Sequence, residues 1–163
     1  MRSRLAVLAV LATLAWLSAA TPAMAADAKG ELTFSASLFN PDAGATIWSG
    51  TGEYLIPVGK YLVAGPSLSL FDAGEADGGA AGGALEVNLS KGPGLFFGGA
   101  AHKLTGDAAD AADYTYEARA GFKLGGERGG AKIYASQTWA KQESGATVDP
   151  GGTAVNAGLY LRF

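Results

Sequence analysis

Between Tyr114 and Leu124 the chain alternates apolar and polar residues without a break. Tyr114, Tyr116, Ala118, Ala120, Phe122 and Leu124 share one parity, and Thr115, Glu117, Arg119, Gly121 and Lys123 share the other. A period of two is the side-chain repeat of a β-strand, whereas a helix would scatter both sets around its circumference. Seven further segments repeat the pattern. Glu31 to Phe39 sets Leu32, Phe34, Ala36 and Leu38 against Glu31, Thr33, Ser35 and Ser37. Ile47 to Ile56 sets Trp48, Tyr54 and Ile56 against Ser49, Thr51 and Glu53. Tyr61 to Phe71, Gly83 to Ser90, Leu95 to Lys103, Lys132 to Ala140 and Thr153 to Phe163 complete a set of eight candidate strands.

The connections differ in character. Residues 56–60, 90–94 and 125–130 are short and rich in turn formers. The spacers Asp72 to Ala81, Gly106 to Asp113 and Lys141 to Gly152 are longer, polar and acidic, while Asn40 to Ala45 is short. The Gly78 to Gly83 stretch has no Lys-Ser/Thr after it and opens no helix, so it reads as a flexible loop leading into a strand. Strands of about nine to eleven residues, even in number, with short turns at one end and longer loops at the other, fit a transmembrane barrel. The predicted fold is therefore all-β, an eight-stranded antiparallel up-and-down transmembrane β-barrel, closed because lipid offers no partner to an open sheet edge.

The start of the chain predicts export from the cytoplasm. Met1 to Arg4 is basic, Leu5 to Leu17 is apolar, and Ala23, Met24 and Ala25 form a small-residue processing site. That order predicts a cleaved signal peptide over residues 1–25 and a barrel over residues 26–163. The apolar run is shorter than the roughly 20 residues of a membrane-spanning helix. Without Arg2 and Arg4, ten Lys and Arg face fifteen Asp and Glu, so a basic footprint for nucleic acid is absent. The chain has no cysteine, which rules out a disulfide framework or a thiolate metal site.

A water-soluble sandwich competes for the same strand pattern, with the apolar face inside instead of outside. Aromatic placement favours the barrel. Trp48, Tyr114, Tyr116 and Trp139 fall near the loop-side rim, and Tyr54, Phe97, Phe122 and Phe163 toward the turn-side rim. Two aromatic belts enclosing small residues and leucines match a lipid-facing surface.

The last strand resembles the C-terminal signature of bacterial outer-membrane barrels. Phe163 is the final residue, and Val155, Ala157, Leu159 and Leu161 continue its parity upstream. The resemblance implies that this strand is read by the barrel-assembly machinery. In size the whole is similar to the small OmpA/OmpX-type barrels, which implies a bacterial outer-membrane location, contact with outer-membrane lipids and lipopolysaccharide, and a monomer.

An eight-stranded barrel has an interior just wide enough for side chains to fill. Its inward set is expected to include Glu31, Glu53, Glu86 and Glu117 with Arg119, Lys123, Lys132 and Arg162. Four acids and four bases suit a paired plug, because lone charges in a narrow lumen lose their hydration without return. Chain direction puts Glu31 and Arg162 opposite each other at the closing seam. The same charges could instead gate a narrow porin-like channel. Catalytic, metal and cofactor sites are not expected. His102 stands in Ala101-His102-Lys103, without the His-x-Ser that lipid-modifying barrels resembling lipid A deacylases carry. Asp107, Asp110 and Asp113 do not follow the calcium-loop spacing. The leading functional reading is a non-enzymatic integral outer-membrane protein, envelope-structural or acting on surfaces through its loops. A narrow pore for solutes, a lipid-modifying enzyme and a soluble periplasmic sandwich are the alternatives.

Overall fold

Eight alternating strands laid side by side leave two raw edges, and the chain removes both by joining the first strand to the last. The computed structural model describes residues 30–41, 47–72, 77–110, 112–142 and 147–163. The predicted signal peptide, residues 1–25, lies outside the described residues. The strands are β1 (Glu31–Pro41), β2 (Ile47–Pro57), β3 (Leu62–Asp72), β4 (Asp77–Asn88), β5 (Gly94–Gly106), β6 (Tyr114–Gly125), β7 (Gly129–Lys141) and β8 (Thr147–Arg162). A short 3-10 turn, Asp107–Asp110, stands between β5 and β6. Each strand pairs antiparallel with its sequence neighbour, and β1 pairs with β8, so the sheet is a closed up-and-down barrel.

At the closing seam Glu31 pairs with Arg162 in register. Beyond that pair, the Gly30 and Phe163 backbones exchange hydrogen bonds of 3.0 and 3.1 Å. The Tyr54 and Phe163 rings stack on the outside, with centroids 5.9 Å apart.

The two faces of the wall have opposite chemistry. Leu68 and Val155 are 64% and 66% exposed, whereas Lys132 and Glu86 are fully buried. This inverts the arrangement of a soluble protein, in which charge faces water and apolar side chains fill the middle. It also decides between barrel and sandwich, because the apolar parity faces outward on every strand whose side chains are described.

Three expected loops prove shorter than the sequence suggests. Gly78 to Gly83 is not a flexible loop but the first half of β4, paired on both sides with β3 and β5. Likewise, β8 begins at Thr147, inside the expected 141–152 spacer, and β5 runs on to Gly106. Turn residues mislead here because a glycine in a barrel wall can mark close backbone approach. A Cβ on Gly82 would stand 1.9 Å from the Ala101 carbonyl oxygen and 2.7 Å from the His102 Cα. Between strands, three to five residues remain at one end (58–61, 89–93, 126–128) and four to seven at the other (42–46, 73–76, 107–113, 142–146). The two ends therefore differ far less than expected.

This packing has a test. Gly82→Ala should destabilise the barrel by about 1–3 kcal/mol through overpacking against backbone. At the adjacent Gly83 the nearest atom to an added Cβ is 3.6 Å away. Gly83→Ala should therefore stay within about 0.5 kcal/mol of the parent. Urea titrations of the two variants in lipid vesicles, followed by tryptophan fluorescence, separate them.

Candidate functional site

Inward parity on six strands carries seven charged side chains into the turn-side half of the lumen. Glu86 on β4 is the hub, with carboxylate oxygens 2.9 Å from Arg119 and 3.0 Å from Lys123, and a third ion pair to Lys132. Arg119 also holds Glu53 in a two-pronged contact of 2.5 and 3.2 Å. Lys132 reaches Glu53 at 3.5 Å, Lys123 pairs with Glu31, and Arg162 meets Glu31 at 2.8 Å. The guanidinium of Arg162 further donates to the Lys91 carbonyl in the β4–β5 turn. Shared partners let each ion replace lost hydration with several close opposite charges, as burial in a low-dielectric interior demands.

An aromatic jacket encloses these ions. Lys132 lies 4.7 Å from the Phe96 ring centroid and 5.2 Å from that of Tyr134. Lys123 stands over Phe96 and Tyr160, and Arg119 over Tyr134. Phe96, Tyr160 and Leu55 are wholly buried. Cation–π attraction and apolar contact thus add to the ion pairs in surrounding each buried cation. Phe96 and Leu55 went unnoticed in sequence because apolar residues also flank them on both sides. Their parity, shared with Glu53 and opposite to Leu95 and Phe97, was the available signal.

Of the eight charges expected inside, Glu117 is the exception. It sits one inward step from Arg119 toward the loop end, yet it makes none of the ion pairs of the network. Its Oε1 is buried without a hydrogen-bond partner among the described residues. The reason is axial position, since the cations project into the turn-side half while Glu117 faces a cavity of about 340 Å³ in the loop-side half. Hydroxyls on the cavity wall pair across strands, Ser37 with Ser49 at 2.5 Å and Thr51 with Ser69 at 2.8 Å. Ala80, Leu104, Ala112 and Ala140 pack together near its loop end, against Phe71 and Ala108.

His102 finds a partner that local sequence did not offer. Its Nε2 lies 2.9 Å from Ser67 Oγ on β3. Both side chains are buried inside the wall, away from the apolar outer surface where an acyl chain would lie. Inward parity on β3 and β5 was the sequence signal for this contact. Asp107 and Asp110 are exposed on the 3-10 turn. Among the described residues no three His, Cys, Asp or Glu side chains gather as a metal group.

The outward residues fall into place along the wall. Trp48, Tyr114, Tyr116 and Trp139 lie toward the loop end, and Tyr54, Phe122 and Phe163 toward the turn end. Tyr114 and Tyr116 face Lys141 and Trp139 across the β6–β7 ladder. Val155, Ala157 and Leu159 are exposed on β8, and Leu161 and Phe163 are half-buried in line with them.

No protein family and no curated protein matches the chain in sequence. Solved structures do match in shape. The N-terminal β-barrel domain of Pseudomonas aeruginosa OprF is similar with a TM-score of 0.55 at 14% identity, over 84% of this chain and 100% of that domain. A de novo designed transmembrane β-barrel is similar with a TM-score of 0.53 at 11% identity, over 86% of this chain and 100% of the design. At such identities the likeness is one of fold, and by fold the chain is a small eight-stranded up-and-down β-barrel of the kind seen in outer-membrane proteins.

Proposed function

We propose that the chain is an integral outer-membrane barrel without enzymatic activity, structural in role, its lumen closed by the ion-pair plug. One observation carries this reading, the inversion of the wall, with apolar side chains exposed outside and charged ones buried inside. Such a surface costs free energy in water and gains it in hydrocarbon. The proposed partners are outer-membrane lipids and lipopolysaccharide at the aromatic rims, and the barrel-assembly machinery during insertion, which the outward parity from Val155 to Phe163 would serve. The barrel is taken to act as a monomer. Segments of only four to seven residues between strands at the loop end favour an envelope-structural role over one exerted through long surface loops.

Fractionation and heat-modifiability test this directly. The protein should sediment with outer membranes, and the folded form should migrate differently from the boiled form on gel electrophoresis. Recovery in the aqueous fraction with identical migration before and after boiling would overturn it. The plug makes a second prediction. Seven ion pairs and four apolar or aromatic side chains crowd the turn-side half of the lumen, and small barrels seldom hold an open channel, so planar bilayers should show no steady conductance. Stable single-channel steps would instead favour the porin-like alternative.

A further inference from the structure

We propose that the loop-side half of the lumen binds a small organic ammonium ion, its charged head on Glu117 and its apolar body against Phe71 and Leu104. The cavity of about 340 Å³ lies in the size range of ligand pockets, and barrel mouths are a recurrent place for them. Among the described residues neither lysine nor arginine lines it, whereas Glu117 and Asp107 both do. Glu117 Oε1 is buried and accepts no hydrogen bond from the described residues, although the Ser136 hydroxyl donates to the carboxylate. The neighbouring hydroxyls of Ser49, Thr51 and Ser69 are engaged with one another or with Ser37, so they do not fill that need. A charged donor is the strongest partner for such an oxygen.

The rest of the wall narrows the ligand class. Ile47, Phe71, Leu104, Ala112 and Ala140 give the cavity a mainly apolar lining above the carboxylate. A bare divalent ion needs six or more oxygen ligands, and no cluster of three acidic or imidazole groups exists among the described residues. An ammonium on a short apolar body satisfies both the buried Glu117 carboxylate and the apolar wall. Asp107 and Asp110, exposed at the loop end, bias the approach toward cations.

The test is a titration of phenethylammonium into the isotope-labelled protein in lipid nanodiscs, read by backbone amide shifts. Saturable shifts at Glu117, Ser136 and Leu104 are expected. Glu117→Gln should weaken binding at least about tenfold, and phenethyl alcohol should bind the parent more weakly by a similar factor. Thr138→Phe, which fills the cavity but keeps the carboxylate, should abolish the saturable shifts. That variant decides the matter if Glu117→Gln does not give a heat-modifiable barrel. Equal affinity in Glu117→Gln, or linear shifts confined to outward residues such as Leu68 and Val155, would overturn the proposal. Either result would leave the outer-membrane assignment intact, because that rests on the outer wall.

Discussion

Glu86→Gln should destabilise the folded barrel by about 3–5 kcal/mol, the usual cost of removing one partner from a buried ion pair. The substitution keeps shape and removes charge, so cavity formation contributes little. Glu86 is the acid shared by Arg119, Lys123 and Lys132, all three of them buried. Without its charge, Lys132 keeps only a 3.5 Å contact to Glu53, and the interior carries an excess of one positive charge. Water cannot compensate, because Phe96, Tyr134 and Tyr160 occupy the space around the ammonium groups. A urea titration in lipid vesicles measures the loss. Adding Lys132→Met should restore much of it, since the pair of changes removes opposite charges together. A cost below about 1 kcal/mol for Glu86→Gln would show that the network contributes little. Glu117→Gln should cost less than Glu86→Gln, as Glu117 makes none of the network's ion pairs.

The second large effect belongs to the outer wall. Leu68 is 64% exposed near the middle of β3, between Gly52 on β2 and Ala81 on β4. Leu68→Arg should destabilise the protein by about 2–4 kcal/mol in a bilayer, where an outward charge near the midplane has no hydration. On a water-facing surface the same change would fall within about 0.5 kcal/mol. Measurement in lipid vesicles discriminates the two environments. Near-neutral behaviour would argue that β3 faces water. Because Leu68 is not part of the plug, its effect should add to that of Glu86→Gln.

Strand number, strand direction and the facing of the side chains within the eight alternating segments were legible in the alternation. The parity of Tyr114 to Leu124 assigned Glu117, Arg119 and Lys123 to the interior before any contact was known, and they lie there. Chain direction likewise paired Glu31 with Arg162, which meet in register and at 2.8 Å. Strand ends were less legible. Glycine marks both turns and tight walls, so the 78–83 stretch carried the composition of a loop while forming part of β4.

What the sequence alone determined is which side of the wall each residue faces, because a period of two depends only on local backbone geometry. What the tertiary structure decided is how far along the barrel axis each inward residue sits, because that depends on the stagger between strands around a closed sheet. Stagger gathers Glu31, Glu53 and Glu86 among four cations in the turn-side half. It leaves Glu117, of the same residue type and parity, facing a cavity in the other half. It also brings Ser67 beside His102, 35 residues away in the chain. The division of the lumen into a half that holds the ion-pair network and a half that holds the cavity is a property of the closed barrel, and no single strand encodes it.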